Sequence, residues 1–294
     1  MRITQSMMSN SMLRNLSNSY GDLNKYSEQL SSGKKITKPS DDPVVATKGM
    51  SYRTEVRDVE QYKRNLSEAQ TWIDNSDSAL SNATSALQRL RELAVQASNG
   101  TYEEGQRGNI AEEVDQLKEQ LATIANTQVN EKYIFNGSAT NTAPVTINED
   151  GSTTVNFNSN AVNLTLSKGV DVNINVDGNA VFGEKLFSDL DNLSAALRSD
   201  GSDEDLDQYI GLIDENINNL VNERADLGAR MNRMDLVESR LGDQELSATK
   251  LMSNNEDAEM EEVIMNLTSQ EAVHRAAMSA GARIIQPTLM DFLR

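Results

Sequence analysis

The sequence predicts a mainly α protein: a long antiparallel helical bundle or coiled coil built from both chain ends, with a small antiparallel β domain inserted. Three observations carry this. Leu206, Ile213, Leu220, Leu227, Met234, Leu241 and Ala248 recur every seven residues without a miss. A second row of the same period runs Tyr52, Val59, Leu66, Ile73, Leu80, Leu87 and Ala94. Between Gly137 and Gly183 the apolar period shortens to two. Sustained heptads mark a helix packed along its length on another helix, and alternation marks half-buried strands.

The first helix is expected at about 5–31, with Met12, Leu16, Leu23, Tyr26 and Leu30 on one stripe. Gly33 stands where a left-handed C-terminal cap belongs, and KKITKPSDD is loop chemistry. Asp42 before Pro43 reads as an N-cap with proline at the first helical position. The helix that follows carries a companion seam of mostly small residues, Tyr62, Ala69, Ser76, Ala83, Leu90 and Ala97, which lets a partner approach closely. Asn99-Gly100 ends it, and Thr101 with Glu104 has capping-box spacing for the next helix. That helix holds Ile110, Val114, Leu117, Leu121 and Ile124, with Gly105 and Gly108 softening its first turns.

Val145 and Ile147, Val155 and Phe157, Val162 to Leu166, and Val170 to Val176 are the expected strands. Asp150-Gly151 and Asp177-Gly178 supply turns. A sheet this small needs a helix to lean on. Helix resumes with Leu186, Leu190, Leu193 and Leu197, Asp200-Gly201 turns the chain, and Ser202 with Asp205 opens the long heptad helix. Its second seam is Ile210, Ile217, Met231 and Met252, interrupted by Arg224, Glu238 and Glu245. Gly211, Gly228 and Gly242 each cost about 1 kcal/mol there without breaking it. A last helix from about 255 to 286 carries Leu267 and Met278 and stops at Pro287. Three parts follow: residues 1–42 with 255–294 as a terminal helical layer, 43–136 with 184–254 as the long-helix bundle, and 137–183 as the β domain.

Composition narrows the function. Aromatics are only 4% of the chain, which suits thin helical seams rather than one thick core. A net charge of -18 argues against nucleic-acid and anionic-membrane partners, which require a basic face. There is no cysteine, hence no disulfide, thiolate site or cysteine nucleophile. No apolar run reaches membrane-spanning length, and the start MRITQSMMSNSM lacks the apolar core of a secretory signal, so export would use another route.

Enzyme readings find little support, and no cofactor is expected. His274 is the only histidine and sits in an alanine-rich helix, where packing or surface exposure is the simpler reading. The run Asp203, Glu204, Asp205 and Asp207 lacks calcium-loop spacing and suits a helix N-terminus. Asp41-Asp42 reads as a cap rather than a carboxylate pair, and the Asn-X-Ser/Thr triplets at Asn65 and Asn163 carry little weight.

Charge differs between the ends. Residues 1–40 hold six basic and two acidic side chains, whereas 256–294 hold seven acidic and three basic. Antiparallel terminal helices would bring Lys34, Lys35 and Lys38 near Asp257, Glu259, Glu261 and Glu262, setting register more than stability. Met7, Met8 and Met12 at one end, and Met260, Met265, Met278 and Met290 at the other, suit either core or a surface that fits several neighbours. Their thin seams suggest that the terminal helices order fully only on assembly.

Four stretches carry a family resemblance. LSSGKKITKPSDDP from Leu30, RELAVQASNGT from Arg91, ADLGARMNRM from Ala225 and DAEMEEVIMNLT from Asp257 resemble, in this order, the motifs of bacterial flagellins. Pro39 and Pro43 depart from a loop that often has Ala. NEKYIFNGSATNTAPV at Asn130 and the ending PTLMDFLR are similar to the family's hook-associated members at the hook-filament junction rather than to filament subunits. The resemblance implies a structural subunit exported by the flagellar type III apparatus with a cytoplasmic chaperone. It would form a ring with other copies of itself, between the first hook-associated protein and flagellin, outside the cell. The heptads and helix stripes give seam or assembly roles to Leu16, Leu23, Leu30, Leu66, Ile73, Leu80, Leu87, Leu206, Ile213, Leu220, Leu227, Met234, Leu241, Leu267 and Met278. A filament flagellin and a cytosolic coiled-coil scaffold are the rival readings.

Overall fold

The structure, a computed structural model, describes residues 5–98, 104–148, 152–199 and 203–285. In chain order the elements are α1 (Gln5–Ser32), α2 (Pro43–Ser98), α3 (Glu104–Ala125), β1 (Gln128–Val129), β2 (Lys132–Tyr133), β3 (Val145–Ile147), β4 (Thr153–Val155), β5 (Asn163–Ser167), β6 (Val170–Asn173), α4 (Gly178–Phe182), α5 (Glu184–Arg198), α6 (Asp203–Glu256) and α7 (Met260–Ile285). They form two compact units, Met1–Asp58 with Gln244–Arg294, and Val59–Asp243, so both long helices contribute to each. The Asn99-Gly100 break, the Thr101 capping box, the Asp150-Gly151 and Asp200-Gly201 turns, Ser202, and the tail from Pro287 with Met290 lie outside the described residues.

In the unit Val59–Asp243, α2 and α6 run antiparallel. Successive cross-links go Gln70 to Glu238, Asp77 to Arg224, Arg91 to Asp214 and Ser98 to Asp207, ascending one helix and descending the other. The expected heptad positions from Leu66 to Ala94 and from Leu206 to Leu241 are all buried. Arg224 and Glu238, which interrupt the second seam of α6, are two of the cross-linking residues. A third buried row on α2, Trp72, Ala79, Ala86 and Leu93, widens the buried stripe beyond a two-helix seam. This is the stripe of a helix with more than one neighbour: Arg89 pairs with Glu113 of α3 at 2.8 Å, and Val129 of β1 lies beside Trp72. Helix α5 packs Leu186, Leu190, Leu193 and Leu197 inward, and its Arg198 reaches Glu112 and Asp115 of α3.

Where the alternation predicts one small sheet, three separate antiparallel hairpins form: β1–β2, β3–β4 and β5–β6. The β1–β2 hairpin lies outside the expected β region. Side-chain amides take over backbone pairing between these pieces. Asn126 donates to and accepts from the Val145 backbone, and Asn175 Oδ1 accepts the Val162 N–H. Buried Asn136 bridges Ala139, Thr142 and Asn158. Gly137, at φ +47, passes so close to the Asn158 carbonyl that a Cβ would sit 2.2 Å from its oxygen. A two-stranded hairpin is marginal alone, and β5–β6 is held on the long helices. Asn65 of α2 donates to Thr165 O, while Arg230 and Arg240 of α6 donate to Asn175 O and Ser167 Oγ. Leu166 is buried beneath it.

In the other unit α1 and α7 run antiparallel. From Met12 to Ser19 to Lys34 along one side, the neighbours run Gly281, His274 and Asp257 along the other. Gly33 takes φ +68 and closes α1 by donating its N–H to Gln29 O. Asp42 Oδ1 accepts the N–H groups of Val44 and Val45, capping α2 with Pro43 at its first position.

Replacing the buried Leu220 with Ala should lower stability by about 2–5 kcal/mol, through lost burial and the cavity left behind. On the same helix Leu236 is 74% exposed. Its replacement by Ala should change stability by less than about 0.5 kcal/mol. Denaturant unfolding followed by Trp72 fluorescence checks both; equal losses would contradict the heptad assignment.

Candidate assembly site of the terminal helices

The site is the α1–α7 pair with the loop 33–42 and the adjoining ends of α2 and α6, all in one unit. The face of α7 toward α1 carries Val263, Leu267, Gln270, His274, Ala277 and Gly281, alternating steps of four and three. From α1 come Met12, Leu16, Ser19, Leu23, Tyr26 and Leu30. Most of these are half-buried; Ser19, Val263 and Gly281 are buried. At Gly281 a Cβ would lie 2.7 Å from Met12 Cε, so the glycine makes room for the methionine. Ser19 Oγ contacts His274 Nδ1 and accepts from Gln270 Nε2, both at 3.3 Å, and the Tyr20 ring lies 6.2 Å from the His274 ring. A polar group in an apolar seam fixes register at some cost in stability.

Met278 is not a seam residue. It is 54% exposed, one step around the helix from Ala277, because the small residues Ala277 and Gly281 form the contact instead. Met7, Met8, Leu13 and Tyr20 of α1 and Met260, Ile264, Met265 and Val273 of α7 are exposed with it. The pair therefore carries apolar side chains on its outside as well as its inside.

The charge pairing is narrower than the sequence suggests. Lys34 Nζ meets Asp257 Oδ1 at 2.6 Å and Glu256 Oε2 at 3.8 Å. Lys35 turns instead to the Asn254 carbonyl, and Lys38 sits beside Asp41. Glu259, Glu261 and Glu262 make no ion pair among the described residues, because α7 begins after the loop contact and turns them to solvent. Local backbone closure explains the selection. Lys35 N–H donates to Glu256 O and Ala258 N–H to Gly33 O, a short antiparallel bridge that sets the loop beside the end of α6 and residues 256–258 rather than beside the first turn of α7.

The organising group is Glu256, which the sequence reading did not single out. It is buried, yet its Oε2 accepts two bonds from the Arg53 guanidinium, at 2.7 and 3.2 Å. Gly49 gives it space: a Cβ there would stand 2.4 Å from Glu256 Oε1. Arg53 lies 203 residues away in sequence, so no local pattern announces the pair.

Two carboxylates of this unit, Asp257 and Asp41, are tuned toward charge. The Lys34 ammonium and the Ser253 hydroxyl hold Asp257 below the usual aspartate value, and the Lys38 and Thr37 N–H groups do the same for Asp41. In the other unit burial pushes Asp189 and Glu223 up. Among the described residues no His, Cys, Asp or Glu side chains group as a metal site, and no helix is long and apolar enough to cross a membrane.

Helices from the two chain ends, paired antiparallel, latched by a buried carboxylate and apolar outside, are the build of a structural protein that packs against neighbours. Residues 3–140 match the bacterial flagellin N-terminal helical region and residues 210–293 the bacterial flagellin C-terminal helical region. The chain belongs to the bacterial flagellin family, whose members are structural flagellar proteins. Flagellar hook-associated protein 3 of Escherichia coli strain K12 is 29% identical, over 95% of this chain and 96% of its own. Flagellin of Bacillus subtilis strain 168 is 26% identical over the whole of both chains. The flagellar junction protein of Legionella pneumophila shares the fold, with a TM-score of 0.61 at 18% identity, over 71% of this chain and 100% of that one.

Glu256→Gln should loosen the loop by about 1–3 kcal/mol, since the amide keeps the size but removes the buried negative charge that Arg53 and Lys34 meet. Gly49→Ala should act in the same direction by displacing the carboxylate. Faster amide exchange at 33–36 and 256–258 checks both, and unchanged exchange contradicts the latch. Acid should act on the units in order. The lowered Asp257 and Asp41 contribute fully above their ordinary value near 3.8 and lose that contribution as pH falls through their folded values. Asp189 and Glu223 are instead relieved of a buried charge as pH falls through their raised values. In an acid titration the Met12 methyl resonance should therefore change before Trp72 emission does; the reverse order contradicts the assignment.

Proposed function

We propose that this chain is the structural subunit joining hook to filament in the bacterial flagellum. The observation that carries the reading is the end-to-end match with hook-associated protein 3, in which 95% of this chain aligns with 96% of the relative. Filament flagellin is the second reading, favoured by the 26% identity to a flagellin over both whole chains.

In this reading residues 1–42 and 255–294 form an inner layer that orders fully on assembly. Residues 43–136 and 184–254 form a second layer, and 137–183 face outward. The exposed methionine and aliphatic side chains of α1 and α7 support the inner layer, since flexible thioethers suit unlike neighbours above and below. Copies assemble as a ring, with the first hook-associated protein on the hook side and flagellin on the filament side. The protein is transiently cytoplasmic, is held there by an export chaperone, and leaves through the flagellar type III channel. It has no catalytic role.

On flagella sheared from a producing strain, labelled protein should sit at one discrete position between hook and filament. Label along the whole filament, or seeded growth of the purified chain into long filaments, would favour flagellin instead. Met278→Ala should impair incorporation while leaving the melting temperature within about 2 °C, because an exposed side chain contributes little to the fold. A lowered melting temperature with normal incorporation would remove the proposed role of this residue.

A further inference from the structure

A pocket of about 300 Å³ lies between α2 and the β1–β2 hairpin, well away in sequence from the terminal helices. Trp72 and Val129 are its apolar lining, Ser67, Thr71 and Asn130 add polar groups, and Arg64, Lys132 and Glu68 bring the charges. Two cations against one carboxylate make it locally positive in a chain whose net charge is -18. Most arginines of this unit are spent on internal partners, among them Arg89, Arg91, Arg198, Arg224 and Arg230. Arg64 and Lys132 make no ion pair among the described residues; Arg64 donates only to the neutral Gln61 Oε1, at 2.8 Å. Trp72 is 7% exposed, and its indole N–H has no acceptor among the described residues.

We infer that this pocket is a docking site for a carboxylate side chain on an acidic segment of a second copy of this chain. The volume admits one side chain, the free cations on its wall select an anion, and the acid excess of every copy supplies one. The site holds copies weakly, because rim charges are solvent-exposed and screened by salt. It goes beyond the junction reading and stands or falls in solution, whereas that reading is decided by position on the flagellum.

Trp72 is the chain's single tryptophan, so occupancy reads directly in its emission. The full chain is titrated with hexaglutamate and, separately, hexaglutamine, and its self-association is followed by sedimentation at low and high salt. Hexaglutamate should change the emission saturably, hexaglutamine should not, and high salt should abolish both the response and the association. The double variant Arg64→Gln/Lys132→Gln should weaken both several-fold, while Glu68→Gln strengthens them. The inference is overturned by no saturable response, by an equal response to hexaglutamine, or by association that none of these variants alters.

Discussion

A seven-residue apolar repeat on a helix of 3.6 residues per turn makes one narrow stripe that winds slowly around the helix over many turns. Such a stripe is buried only by another helix of similar length beside it, and this constraint orders the rest of the molecule. In α2 and α6 the repeat is filled with Leu, Ile, Ala and Met. Each large buried side chain contributes about 1.5–3 kcal/mol. Apolar seams tolerate sliding by a heptad, whereas charged and polar cross-links do not. Asp77 with Arg224 and Arg91 with Asp214 are worth little individually at their exposure, but they can be satisfied together in only one register.

The smaller unit is held by a different kind of interaction. Its seam is thin and partly polar, and its definition comes from a buried carboxylate with neighbours from three segments. Glu256 gathers Arg53 from α2 and Lys34 from the loop, and its own carbonyl accepts the Lys35 N–H. Gly49, a poor helix residue, is retained where any side chain would meet that carboxylate. A helical pair latched at one end, with apolar side chains left outside, fits a protein whose neighbours complete the packing. This architecture agrees with membership of a family of structural flagellar proteins.

The hairpins show how little sheet is needed when helices supply the support. None has enough strands to stand alone; β3–β4 borrows the Asn126 amide, and β5–β6 borrows Asn175 beside it and the arginines of α6. Asn126, Asn136 and Asn175 are structural wiring. The β1–β2 hairpin then creates a small positive pocket beside α2.

The sequence by itself determined the helical class, the antiparallel pairing of the long heptads, the loop with its Gly33 cap and Asp42 N-cap, and the family. All of these rest on local spacing, which a linear chain displays. Only the tertiary structure decided the partners of individual charges, the exposure of Met278, the third buried row on α2 and the centrality of Glu256. Each depends on which segments, as far as 203 residues apart, arrive at one point. Periodicity names a face of a helix but not the neighbours that cover it. A buried ion pair leaves no periodic trace at all, because it is defined by distance in space rather than along the chain.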